Sequence, residues 1–108
     1  MTRLAICSTV TIDGVAYTMK PSFAAINSIE ATTGKGFFKL AQELNSGEFL
    51  LSDMAQIIHA GIKYGERGGA PSKERIGNFI VRDGIESFIE PVILFFKIAI
   101  AGEATSDA

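Results

Sequence analysis

Ser87 to Ala101 reads S-F-I-E-P-V-I-L-F-F-K-I-A-I-A, and wound into a helix it leaves little room for water. Phe88, Ile89, Val92, Ile93, Leu94, Phe95, Phe96, Ile98 and Ile100 cover most of the circumference, while Glu86, Glu90 and Lys97 share one narrow stripe. A helix apolar nearly all round must be buried on most sides. In a chain this small it is either the central core helix or a core helix with one face reserved for a partner; the central position is the expectation. It is too short and too interrupted by charge for the run of about 20 apolar residues that crosses a bilayer. Ser87 and Glu90 have the S-x-x-E spacing of a capping box, in which each side chain meets an orphan backbone N–H. Pro91 falls about one turn in, where it costs no more than a local kink.

Outward from this helix, composition describes one ordinary globular domain. The chain has 108 residues, 47% hydrophobic and 20% charged, with a net charge of −2. That length supports a single core, and the composition is not that of a disordered chain. The 10 basic residues are spread among 12 acidic ones, whereas phosphate binding needs them clustered, so affinity for nucleic acid is not expected. One cysteine, Cys7, allows no intrachain disulfide and points to a reducing compartment. The opening M-T-R-L-A-I-C-S-T-V-T lacks the apolar run of a signal peptide. No membrane association is expected, and the expected location is the cytoplasm.

The chain before the last helix divides cleanly. Thr9 to Ile12 and Val15 to Met19 are β-prone runs around Asp13-Gly14, a preferred type I′ pair. The two-residue turn sets Ile12 opposite Val15, Val10 opposite Tyr17 and Ser8 opposite Met19, all on one mostly apolar face. A hairpin is thus expected over about 8–20. It is marginal alone, so that face must rest on helices or on another chain. Ser22 caps a helix over 22–33 with Gly34 as its stop; Phe37, Leu40, Ala41 and Leu44 mark a second over 36–44. Ser52 and Asp53 open a third over 52–64, with Met54, Ile57, Ile58, Gly61 and Ile62 inward. Ser72 caps a fourth over 72–83, and the fifth follows over 87–101, leaving a flexible acidic tail at 102–108. The fold class is α+β, mostly α: an N-terminal hairpin and about five short helices in a single domain.

Groups that do chemistry are scarce. His59 is the only histidine, which excludes a His-based metal cluster, and no nucleophile is signalled beside it. Thr32-Thr33-Gly34-Lys35-Gly36 lacks the phosphate-loop spacing and follows a helix instead of a strand. Lys63, Arg67, Lys73 and Arg75 flank a Gly-rich loop, but Glu66 and Glu74 interleave with them. No catalytic residue, cofactor or metal is expected. Apolar surface, by contrast, is abundant: eight Phe and a mean hydropathy of +0.27. Any part of it left exposed would mark a protein–protein surface.

The run T-I-D-G-V-A-Y-T-M-K-P-S-F-A-A-I-N-S-I-E-A-T-T-G-K-G-F-F-K-L-A, Thr11 to Ala41, resembles the opening of the gene-transfer-agent/phage tail protein family. The likeness continues through Leu51 to Lys63, Arg75-Ile76-Gly77 and the closing L-F-F-K-I-A-I-A-G, so that it covers roughly Thr9 to Gly102. The resemblance implies a small non-enzymatic morphogenesis protein that is like a tail assembly chaperone. Such a factor acts on the tail tube or tape-measure protein, covering apolar segments until tube subunits replace it. The alternatives are a structural tube component retained in the particle and, from another class, a small nucleic-acid-binding regulator. Edge-strand pairing and helix-in-groove contact are the available modes, and homo-oligomers are allowed. The expected partner surface is the hairpin edge and the last helix, with Val10, Tyr17, Met19, Phe95 and Phe96 as candidates.

Overall fold

A computed structural model describes residues 8–65 and 69–101. The elements are β1 (Ser8–Ile12), β2 (Val15–Met19), α1 (Phe23–Thr33), α2 (Phe37–Ser46), α3 (Leu51–Lys63), α4 (Lys73–Asp83) and α5 (Glu86–Ala101). This is the expected hairpin followed by five helices. Cys7, Arg67 and the 102–108 tail lie outside the described residues.

Asp13 and Gly14 have φ of 55° and 77°, the two left-handed residues that a type I′ turn requires. The antiparallel register is the expected one, with Ser8, Val10 and Ile12 opposite Met19, Tyr17 and Val15. Alternation along β1 buries Ser8, Val10 and Ile12 and exposes Thr9 and Thr11. The apolar face is covered from within the chain: β1 rests on α5 and β2 on α3.

Most helix ends follow local chemistry. The Ser22 and Ser72 hydroxyls accept the Ala25 and Arg75 N–H groups, each at 3.1 Å, and Gly34 closes α1 in the left-handed conformation. Two expected caps are not made. The N-cap of α3 is Leu50, without a side-chain bond, and Ser52 lies exposed inside the first turn. Helix α5 starts at Glu86, so Ser87 is already helical; its hydroxyl donates to the Asp83 carbonyl at 3.4 Å instead of accepting from Glu90. The α4–α5 turn explains this, since Ser87 N–H is taken up by the Gly84 carbonyl at 3.2 Å. A cap supplied from another helix has no local signal: Glu30 Oε2, on α1, accepts the Phe37 N–H at 2.8 Å and so places a carboxylate at the positive end of α2.

The central position expected for the last helix belongs to α3. It packs on β2, α1, α4 and α5 and buries every residue from Asp53 to Ile62 except His59. Its composition allows this because Ala55, Ala60 and Gly61 let neighbours approach closely. A Cβ at Gly61 would sit 3.0 Å from Met19 Cβ and 3.1 Å from Phe95 Cε1. Gly65, just beyond α3, is tighter still: a Cβ there would lie 2.6 Å from the Gly61 carbonyl oxygen and 2.7 Å from Lys20 N. Gly65→Ala is therefore expected to destabilise by about 1–3 kcal/mol, lowering Tm by roughly 5–15 °C in a thermal melt. An unchanged melt would mean that the β2–α3 junction can open by several tenths of an ångström without cost. Helix α5 buries Phe88, Val92, Phe95, Phe96 and Ile98 and leaves Glu90, Leu94, Lys97 and Ile100 outside. It is a core helix with one free face.

A buried carboxylate stitches three segments together. Asp53 is nearly inaccessible, and its Oδ2 receives Lys35 Nζ at 2.7 Å; the same ammonium reaches Glu43 Oε1 at 3.0 Å. The turn after α1, helix α2 and helix α3 meet there. The bond to Asp53, then that to Glu43, holds the Lys35 ammonium above its ordinary value of 10.5. Because the folded value is the higher one, this contribution is fully present below pH 10.5 and is lost as pH rises through the folded value. Wild-type stability should accordingly fall more steeply above pH 10.5 than that of Lys35→Met, compared by urea titration at stepped pH. Parallel slopes would remove the network from the account.

Candidate interaction surface

Most of the residues with chemical potential that fall among the described ones are engaged in structure. His59 donates from Nδ1 to the Pro71 carbonyl at 3.0 Å, which ties α3 to the segment entering α4. Lys35, from the phosphate-loop-like run, is spent on Asp53 and Glu43. Of the basic set, Arg75 pairs with Asp13 in the hairpin turn at 2.9 Å and its guanidinium lies 6.0 Å from the Phe79 ring. Lys63 sits 5.4 Å over Tyr64 at the end of α3, and Arg67 lies outside the described residues. Among the described residues no group of three or more His, Cys, Asp or Glu side chains could hold a metal ion. No helix among them is long and apolar enough to cross a membrane.

Four of the five expected partner residues lie inside the molecule. Val10, Met19, Phe95 and Phe96 are buried in the common core, and Tyr17 is half-buried against it. The correction has a plain cause. The hairpin face that carries Val10 and Met19 meets α5 and α3 of the same chain, and α5 turns Phe95 and Phe96 toward α3 and α2. An intact fold leaves those four with no surface to offer.

The apolar surface that does remain is elsewhere. Helices α3 and α4 leave between them a shallow trough of 560 Å³ lined by Leu51, Ala55, Gly77 and Val81 together with the polar Ser52, Lys73, Glu74 and Asn78. Its floor is made of small residues: a Cβ on Gly77 would lie 4.0 Å from that of Ala55. Val81 is 67% exposed on its wall, and Leu50, next to Leu51, is 57% exposed. A trough with an apolar wall and a small-residue floor accepts the apolar stripe of another helix. Phe23, at the start of α1, protrudes further than any of these at 84% exposure. It belongs to α1, which packs on α3 as α4 does. Two unlike apolar features on different helices suit a chain that contacts more than one neighbour.

Comparison with protein families decides the class. The model of the family described as "Phage tail tube protein, GTA-gp10" matches residues 6–102. The chain belongs to this family. No curated protein and no solved structure matches it. A tail tube protein is a structural, non-enzymatic class. The match takes in both strands and all five helices, so hairpin and bundle together form the tail tube family unit.

Proposed function

We propose that this chain is a structural component of a phage-like tail tube, retained in the particle and working through contacts with other tail subunits. The observation that carries it is the tube-protein family match over 6–102. The trough between α3 and α4 supports it as a seat for a helix of an adjoining tube subunit. A tube needs unlike patches on one chain, because only head-to-tail contacts extend. The trough and the protruding Phe23 are such a pair.

The rival reading is an assembly factor that covers apolar segments and leaves before maturation. It draws on the same surface, and the family description favours the tube component over it. Quantitative mass spectrometry of purified particles separates the two. The proposal expects this chain in the particle in many copies, whereas presence in the producing cells and absence from particles would establish the assembly factor. A nucleic-acid role draws less support, because Arg75 is paired with Asp13.

A further inference from the structure

Helices α2 and α5 enclose a hollow of 200 Å³. Leu44 of α2 and Ile93, Phe96 and Ile100 of α5 make it apolar, and its polar lining is Asn45 and Lys97, both exposed. Pockets for small molecules run to about 300–1,000 Å³, so this one suits a single side chain. Lys97 has no ion-pair partner among the described residues. The complement of the hollow is therefore one apolar side chain with a carboxylate beside it.

The turn from α4 into α5 carries that arrangement. Asp83-Gly84-Ile85-Glu86 is exposed throughout, with Ile85 at 41%. The carboxylates of Asp83 and Glu86 have no ion-pair partner among the described residues. Arg82, the cation next to them, lies 5.3 Å from the Phe79 ring, one turn back on α4. Backbone bonds hold the turn in shape: Gly84 N–H donates to the Ile80 carbonyl and Phe88 N–H to that of Ile85, each at 2.9 Å. A tip already ordered loses little freedom on binding. It cannot reach the hollow of its own chain, whose α5 residues begin at Ile93, roughly 12 Å further along the axis.

We propose that the 83–86 turn of one copy of this chain seats in the α2–α5 hollow of the next. Ile85 enters among Ile93, Phe96 and Ile100, and Glu86 meets Lys97. A second copy is the occupant because the chain carries both halves, opposite in charge and displaced along one helix. Such a contact is heterologous: it repeats head to tail, into a ring where the rotation closes and a filament where it does not. It uses none of the residues of the α3–α4 trough, and it suits the tube reading without resting on it.

Sedimentation equilibrium of the purified full chain tests this. The wild type should self-associate as concentration rises, and less so in salt. Glu86→Lys and Lys97→Glu should each weaken association about tenfold or more, since each sets like charges together, and the double variant should return to within about threefold of wild type. Ile85→Asp spoils the tip and Ile100→Asp the hollow. Each alone should associate at least about tenfold more weakly than wild type, whereas a 1:1 mixture retains one intact tip and one intact hollow and should pair within about threefold of wild type. A wild type that stays monomeric at its highest soluble concentration overturns the proposal and leaves the hollow to a different protein. Single reversals without effect, a double variant that is not rescued, or a mixture no tighter than its parts also overturn it. Should circular dichroism show either aspartate variant unfolded, the charge exchange alone decides. Particle composition plays no part in these outcomes, so either proposal can fail without the other.

Discussion

Phe95→Ala is expected to lower the unfolding free energy by about 3–5 kcal/mol, the largest loss foreseen for any single side chain. The ring is fully buried where α5 meets α3, close against Gly61. It also starts an aromatic chain: Phe95 lies edge-on to Phe96 at 6.1 Å, and Phe96 meets Phe37 of α2 at 4.5 Å. Truncation thus removes burial, opens a cavity and loses a ring contact that adds about 0.5–1.5 kcal/mol of its own. A domain of this size has roughly 5–15 kcal/mol in all, so the variant should be only marginally folded at 37 °C. Urea unfolding followed by circular dichroism gives the number. A loss below about 1 kcal/mol would mean that Phe95 is not core, and would reopen the expectation that it faces a partner.

Val81→Asp is expected to do the opposite. Val81 stands largely exposed on the wall of the α3–α4 trough, so its replacement should shift stability by no more than about 0.5 kcal/mol. An aspartate there sets an unpaired charge where the proposed tube contact excludes water. Desolvating a charge without a partner costs several kcal/mol, enough to reduce incorporation into particles a hundredfold or more at about 1.4 kcal/mol per tenfold. Particle proteomics with this variant, beside an unchanged thermal melt, is the check. Normal incorporation would remove the trough from the tube contact while leaving the function itself standing. Taken with Phe95→Ala, the pair of variants separates residues that hold the fold from residues that use it.

Local order was legible because its causes are local. Asp13-Gly14 dictates the hairpin register through backbone conformation alone, and Ser22, Ser72 and Gly34 mark helix ends with their own side chains or the lack of one. The family resemblance was equally legible in the order of these segments. Ser52 and Ser87 show the limit. Each sits in a sequence that permits a cap, yet where the helix starts is settled by the turn before it.

The candidate interaction residues were misplaced for a related reason. Hydrophobicity shows that Val10, Met19, Phe95 and Phe96 avoid water, but not whose surface covers them, and α3 and α5 of the same chain do so. The apolar character of α5 could not reveal that α3 would take the centre, since that follows from the close approaches allowed at Gly61 and Gly65. Sequence by itself determined the elements, their order and the hairpin register, because these depend on neighbours along the chain. Tertiary structure alone decided which apolar residues remain outside, that Lys35 joins Asp53 and Glu43, and that Thr9, Glu90 and Lys97 line one hollow. Those juxtapositions arise between residues distant in sequence, and only packing brings them together.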